Sequence, residues 1–198
     1  MTYTLEDAER ETGEEQLIAQ ILEAQRDIVI AGFVEGRLTS YFEEHPDLSK
    51  PAVNALAEAR RMLEISPSAA LVFAFSSIEM TIQDVLLKPV VAGLTHNPDL
   101  SDVLAELIDV RNKKTEALLF SIMQHIGVPN FKDQPLVNGR VAWKEKIELQ
   151  ELRNLVVHRG ASASKEQAER ALVLSEYLLL NVFRKIREYF TNRSAGRV

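Results

Sequence analysis

Apolar side chains recur at helical spacing along most of this chain, and no stretch shows the sustained alternation of a β-strand. In the first segment, for example, Leu17, Ile18 and Ile21 begin an apolar stripe that Ile28 and Val29 continue. The spacing predicts six helices, over about 5–43, 51–65, 67–87, 101–126, 141–159 and 164–191. Long helices with short connections predict an all-α fold, an up-and-down helical bundle.

Glycines and prolines mark where these helices are expected to bend or end. Gly32 and Gly36 are expected to bend the first helix, and Pro89 to end or kink the third. Gly127 is expected to close the fourth helix. The following segment, 128–139, is rich in Pro, Asn, Asp and Gly, so we expect an exposed loop there.

The composition is that of an ordinary globular protein. Of the 198 residues, 46% are hydrophobic and 26% are charged, which is enough to build a core. There is no cysteine, which excludes disulfides, thiol nucleophiles and cysteine-ligated zinc. The acidic N-terminus lacks the apolar core of a targeting peptide, and apolar runs such as 69–75 are too short to span a bilayer. We therefore expect a cytoplasmic protein without membrane association.

Charge is distributed unevenly along the chain. The formal net charge of −6 argues against a general nucleic-acid coat protein. Residues 1–16 carry six acidic residues and one base, whereas residues 183–198 carry five bases and one acidic residue. A phosphate-bearing ligand could find a locally positive surface, although each run taken alone is more simply a solvated helix face.

The most informative stretch runs from Arg153 to His158 and is followed at once by Arg159 and Gly160. Its intervening residues 155–157 are apolar, which predicts that this helix end faces the core. Asn154 and His158 are four residues apart and nearly aligned on one face, whereas Arg153 lies about 140° from His158 round the helix. Either Arg153 reaches round with its long side chain, or a second subunit completes the site.

Two interpretations fit these residues. A guanidinium such as that of Arg153 can bind a phosphate through two hydrogen bonds, and an imidazole such as that of His158 can serve as a general acid and base. Asn154 could hold the imidazole tautomer or donate to the phosphate, and no metal is needed. Cations near a helix C-terminus also stabilise the helix on their own, and spacing alone favours such a cap before Gly160.

The motif and its context resemble a known family. Arg153-Asn154-x-x-x-His158, with Arg159-Gly160 after it, resembles the signature of the HEPN superfamily. These are all-helical domains, many of them ribonucleases of toxin–antitoxin, phage-defence and CRISPR systems. Residues 57–64, then 66–70 and the helix to Glu79, also look like the early helices of these proteins, as does Trp143 ahead of the motif helix.

The resemblance covers roughly residues 50–190 and implies a division of the chain. Residues 50–191 would form the HEPN-like helical domain. Residues 1–49 would be an added helical extension that packs on the bundle, and residues 192–198 a flexible tail.

The resemblance also implies metal-independent RNA cleavage, with neither metal nor cofactor, in a cleft formed by two subunits. His158 would move protons for attack by a ribose 2′-hydroxyl, leaving a 2′,3′-cyclic phosphate. Arg153 would stabilise the pentacovalent phosphorus, and Asn154 would support the geometry. The implied partners are a second copy of the chain, an RNA substrate, and a nucleotidyltransferase-type or other antitoxin. Because fold does not guarantee activity, the alternative is a non-catalytic module that binds a nucleotide, RNA or a protein.

Outside the motif, the strongest candidate is Glu79, midway along the apolar third helix. It could orient His158 or pair with Arg153, and a purely structural salt bridge is an equal alternative. Glu79 and Arg159 are therefore candidate supporting residues. The other histidines, His45, His96 and His125, adjoin turn signals and are most simply loop or cap residues; no two histidines have the spacing of a zinc site.

Overall fold

The computed structural model describes residues 28–95, 113–128 and 132–195, together with positions 20, 21, 23, 25 and 104. Within these residues the chain forms six helices and no β-strand, which confirms the predicted all-α helical bundle. The helices are α1 (28–44), α2 (Lys50–Met62), α3 (Pro67–Thr95), α4 (Lys113–His125), α5 (Ala142–Arg159) and α6 (165–195).

Local capping signals account for where several helices begin and end. Ser66 caps α3 by accepting a hydrogen bond from the backbone of Ala69. Ser164 and Gln167 form a reciprocal capping box at the start of α6. After α4, Gly127 adopts a positive φ of 76°, so the predicted end of that helix is confirmed.

Three of the helices contain a π-helical segment, in which each turn holds an additional residue. The segments are Val34–Leu38 in α1, Thr81–Leu87 in α3 and Leu178–Phe183 in α6. The first of them includes Gly36, one of the two positions where a bend was expected. Such segments locally widen a helix and change the direction in which the following side chains face.

The predicted end of the third helix near residue 87 is wrong, because α3 runs through Pro89 to Thr95. A proline ring inside an α-helix clashes with the carbonyl group four residues earlier. Directly before Pro89, the backbone N–H of Lys88 bonds to Gln83, five residues back. The wider π register moves the upstream carbonyls away from the ring, so the helix continues.

Parts of two predicted helices lie outside the described residues, namely 5–19, 22, 24, 26 and 27 of the first, and 101–103 and 105–112 of the fourth. The predicted loop is described only at 128 and from 132 onward. Its residues 134–142 form a hairpin turn, closed by an antiparallel bridge between Pro135 and Val141. The loop was expected to be exposed, but Leu136 is only 5% exposed and packs into the core.

At the C-terminal end, α6 continues to Ala195, beyond residue 192, where the tail was predicted to start.

Helix α3 lies at the centre of the bundle, between α2 and α6. Leu71, Phe75 and Ile78 are fully buried along it. Beside them is a chain of buried hydroxyl groups. Ser175 of α6 donates to the Oγ of Ser77, which donates to a backbone carbonyl of α2, each at 2.8 Å. Three helices are thus joined by hydrogen bonds inside the core.

By length and composition α3 could also cross a membrane, contrary to the expectation from the short apolar runs. Within the described residues, however, 61% of its most apolar window is buried inside the protein. That burial is typical of the central helix of a soluble protein.

Helix α5 is held mainly by its first half. Its buried residues all lie between its first residue and Leu149, and residues 150–159 include none that is fully buried. Buried in the first half are Ala142, Trp143, Glu145, Lys146 and Leu149. The second half, which carries the Arg153–His158 motif, therefore lies on the surface of the bundle.

A buried carboxylate fixes that first half. Glu145 is 1% exposed and accepts hydrogen bonds from Arg170 Nε at 2.6 Å, Arg170 Nη2 at 2.9 Å and Arg140 Nη1 at 3.1 Å. Glu148 accepts from the same two arginines at 2.8 and 3.0 Å. The hydrogen bond to Glu145 raises the pKa of Arg170 further, against the opposing effect of burial. The hairpin turn, α5 and α6 are thereby joined.

We expect Glu145→Gln to lower the free energy of unfolding by about 2–3 kcal/mol, because it leaves two arginines facing a neutral amide in a buried position. The matched change Glu148→Gln, at a side chain that is 42% exposed, should lower it by less than about 1 kcal/mol. Urea denaturation at neutral pH measures both values. Equal losses would contradict the special role of Glu145.

Candidate functional site

The helix carrying the motif ends as the sequence predicts. Gly160 is in the left-handed conformation, with φ 65° and ψ 22°, and the backbone N–H of Ala161 bonds to the carbonyl of Leu155 at 3.2 Å. The backbone N–H of Gly160 bonds to the same carbonyl. Glycine is the preferred residue for a left-handed position at the end of a helix. Beyond it, the N–H of Ala163 bonds to the hydroxyl of Ser68 at 2.9 Å. The segment after the motif is therefore fastened to the first turn of α3.

Arg153 lies against α3. Its Nη2 forms an ion pair with Glu79, and its Nη1 donates to Asn154 Oδ1 at 3.0 Å. The guanidinium carbon is 5.5 Å from the ring centre of Phe75, within the range of a cation–π contact. With 23% of its side chain exposed, Arg153 is held from three sides. Of the two contacts predicted for Glu79, the structure contains the one with Arg153.

His158 and Arg159 lie apart from this cluster. Both side chains are exposed, and neither makes a hydrogen bond or ion pair within the described part of the chain. In particular, Asn154 accepts from Arg153 and makes no hydrogen bond to the imidazole of His158. The structure therefore brings Arg153, Asn154 and Glu79 together and leaves His158 open to solvent.

Two arrangements could bring Arg153 to His158: the arginine reaches round α5, or a second subunit completes the site. The orientation of Arg153 distinguishes between them. The helix geometry separates the two positions by about 140°. The guanidinium contacts Glu79 and Phe75 on α3, so it does not reach round α5. Within one protomer the motif is thus two separate groups of side chains.

The charge of Arg153 is balanced by Glu79, but its hydrogen-bonding capacity is not exhausted. A guanidinium has five N–H donors, and the hydrogen bonds from Arg153 to Asn154 and Glu79 leave about three of them for another acceptor. The amide nitrogen of Asn154 adds donors at the same place. An anion such as a phosphate could bind there while Glu79 holds the arginine. The charge of Glu79 would reduce the net positive charge that attracts the anion.

The apolar residues around the motif are more exposed than the sequence predicts. Leu155 is 40% exposed and Val157 is 49% exposed, so the expectation that this helix end faces the core is wrong for these two residues. Val156 is partly buried against the core. The reason is that the buried part of α5 stops at Leu149, and the following turns touch the bundle along only one side.

One contact of the cluster was missed by the sequence reasoning, the ring of Phe75 beneath Arg153. A signal for it was present, because Phe75 and Glu79 are four residues apart on α3. Residues at that spacing lie on the same face of a helix. A pairing of Glu79 with Arg153 therefore places the Phe75 ring beside the guanidinium.

The remaining histidines act as expected where they are described. The Nδ1 of His45 lies 2.9 Å from the carbonyl oxygen of Tyr41, and its ring stacks on the Tyr41 ring, so it closes α1. His125 is exposed in the last turn of α4, and His96 lies outside the described residues. Among the residues described, no group of three or more His, Asp and Glu side chains could hold a metal ion.

Comparison with protein-family models, curated proteins and solved structures gives no match. The likeness to the HEPN superfamily therefore depends on the motif residues and their helical context alone. The all-α architecture does not depend on that likeness, because it follows from the helices themselves.

The need for glycine at position 160, where the backbone is left-handed, can be tested by comparison with Gly32, which lies within a helix. We expect Gly160→Ala to lower the free energy of unfolding by about 1 kcal/mol, since an L-residue is strained at this φ although no neighbour crowds its Cβ. Gly32→Ala, on the exposed side of α1, should instead raise it by up to about 1 kcal/mol. Urea denaturation distinguishes the two signs, and stabilisation by both changes would contradict the assigned cap.

Proposed function

We propose that this chain is a metal-independent endoribonuclease of the HEPN type that acts as a homodimer. The observation that carries the proposal is the arrangement at the end of α5. Arg153 is held by Glu79 and Asn154 with donors to spare, and His158 is exposed and without a partner in the described residues. One group suits the binding of a phosphate, and the other suits proton transfer.

In the proposed reaction, His158 takes the proton from a ribose 2′-hydroxyl, whose oxygen attacks the adjacent phosphorus. The bond from phosphorus to the 5′-oxygen breaks, and the leaving oxygen receives the proton held by the imidazolium of His158. The products are a 2′,3′-cyclic phosphate and a 5′-hydroxyl end. Arg153 stabilises the charge on the phosphorane oxygens. Asn154 supports the position of Arg153, as does Glu79, and Arg159 adds positive charge beside the RNA.

The dimer is proposed because one protomer keeps the two groups apart. At a two-fold axis, Arg153 of one protomer could face His158 of the other, and the same pair would occur twice. The exposed apolar residues Ile147 and Leu155, which lie on the same side of α5 as His158, support such an interface. Apolar side chains around polar functional groups are typical of surfaces that a partner covers.

The biological role that we propose is that of a cytoplasmic toxin or phage-defence effector. The resemblance of the motif to HEPN ribonucleases supports this role. Its partner would then be an antitoxin, of the nucleotidyltransferase type or another kind, that suppresses cleavage until it is lost.

A second candidate function is a non-catalytic helical module that binds a nucleotide, RNA or a protein. The ion pair between Arg153 and Glu79 favours it, because the arginine already has a carboxylate partner. The net charge of −6 also disfavours strong RNA binding. Stable binding of RNA without turnover would support this candidate over the first.

The catalytic proposal predicts cleavage of single-stranded RNA in the presence of EDTA. His158→Ala should lower the rate by about a hundredfold or more, since the variant loses its general acid and base. The control is His125→Ala, which removes another exposed histidine two residues before a glycine with positive φ. It should cleave like the parent. Equal cleavage by the two variants would contradict the mechanism.

The dimer proposal predicts a specific pattern in mixed dimers purified through two different tags. A dimer of Arg153→Ala with His158→Ala retains one intact Arg–His pair across the interface, so it should have about half of the parent activity. A dimer of the double variant with the parent chain has none, and should be inactive. The reverse pattern would show that Arg153 and His158 act within one protomer, and a monomer in solution would contradict the proposal as a whole.

A further inference from the structure

A concave site, separate from the Arg153–His158 motif, lies between the hairpin turn and α6. It is a cleft of about 410 Å³ between residues 134–137 of the hairpin turn and one side of α6. We call it the hairpin cleft. None of the candidate catalytic residues lines it, so it is separate from the end of α5. Its volume is in the range of small-molecule sites, roughly 300–1,000 Å³.

The inner surface of the hairpin cleft is apolar. Val128, Leu136 and Val182 line it and are 2%, 5% and 1% exposed, so they are fixed in the core. Leu180, which also lines the cleft, is 53% exposed. A hydrocarbon group placed against these side chains would be removed from water, which is favourable in proportion to the area covered.

Of the four polar side chains of α6 that line the cleft, three recur at intervals of four residues. They are Tyr177, Asn181 and Lys185. That interval places side chains along one side of a helix. None of the three forms a hydrogen bond or an ion pair through its side chain with any described residue. Burial raises the pKa of Tyr177 above its ordinary value, so its hydroxyl stays protonated and can donate.

Two charged side chains of α6 line the cleft, Lys185 and Glu176. Glu176 is already paired with an arginine of α2, and Glu188, which follows Lys185 by three residues, is paired with Arg184. The carboxylate of Glu176 accepts from Arg60 Nε at 3.1 Å and from Nη2 at 2.8 Å. Glu188 pairs with Arg184 at 3.5 Å. The ammonium group of Lys185 therefore supplies an unbalanced positive charge beside the hydroxyl and amide donors.

The π-helical segment Leu178–Phe183 forms the middle of this wall. Three consecutive residues of the segment, Leu180, Asn181 and Val182, line the cleft. The wider π turn thereby contributes both apolar and polar groups to one concavity. Such segments occur often at functional sites, although an α-helix tolerates them poorly elsewhere.

We propose that the hairpin cleft binds a small organic monoanion, a carboxylate attached to an apolar body. Lys185 and Tyr177 hold the carboxylate, and Leu180 and Val137, the exposed apolar side chains of the lining, contact the hydrocarbon. A single cation with neutral donors suits one negative charge better than the two of a phosphate monoester. The same chemistry could come from a free carboxylic acid or from the C-terminal residue of a peptide.

The test measures binding to the full chain by NMR titration at low salt. The probes are octanoate, octanamide, inorganic phosphate and the peptide N-acetyl-Val-Leu with a free carboxylate. Octanoate or the peptide should bind and shift the signals of residues lining the cleft, and the tighter of the two identifies the source. Octanamide and phosphate should bind at least about tenfold more weakly, since each lacks one half of the ligand.

Substitutions then assign the contacts. Lys185→Met keeps the apolar stem, removes the charge, and should weaken carboxylate binding about tenfold, and Tyr177→Phe should weaken it several-fold. The control Lys144→Met removes an exposed lysine from α5 and should leave binding unchanged. Equal binding by octanoate and octanamide, or equal losses in the Lys185 and Lys144 variants, would overturn the proposal. RNA cleavage does not enter any of these measurements.

Discussion

The buried carboxylate of Glu145 is the contact on which the arrangement of α5 depends. It is only 1% exposed, and it is compensated by two arginines, one from the hairpin turn and one from α6. A carboxylate at this depth is tolerated only when such partners are in place. Its bonds therefore define one position of α5 relative to both neighbours. The exposed second half of the helix takes its direction from that position, and so does the motif.

The same helix combines two surfaces of different character. Its first half is an ordinary core element, with Trp143 and Leu149 inside the bundle. Its second half presents a clamped arginine, an open histidine and apolar side chains to solvent. The first half therefore fixes the helix in the bundle, and the second half leaves the motif on the surface.

Local signals in the sequence predicted the elements well. Gly127 and Gly160 mark helix ends by their own backbone conformation, which does not depend on the rest of the fold. The course of α3 past Pro89 could not be predicted, because a π register leaves no trace in the spacing of apolar residues. The exposure of Leu155 depends on which neighbours reach it, and that is a property of the packed bundle. The Arg153–Glu79 pair was one of two contacts allowed by residue types, and only the relative position of α3 and α5 selects it.

The hydrogen bond from Ala163 to Ser68 has a consequence for the length of α3. Arg153 contacts α3 at Glu79, and the chain after the motif returns to the same helix at Ser68. These two points are about 16 Å apart along α3, at 1.5 Å per residue. The motif segment is thus attached to one rigid helix at two points, Glu79 and Ser68. Insertion or loss of a single residue between Ser68 and Glu79 would rotate one of these side chains by about 100° round α3 relative to the other. Only one of the two attachments could then form. The length of this part of α3 is therefore constrained by the motif of α5 as well as by the core.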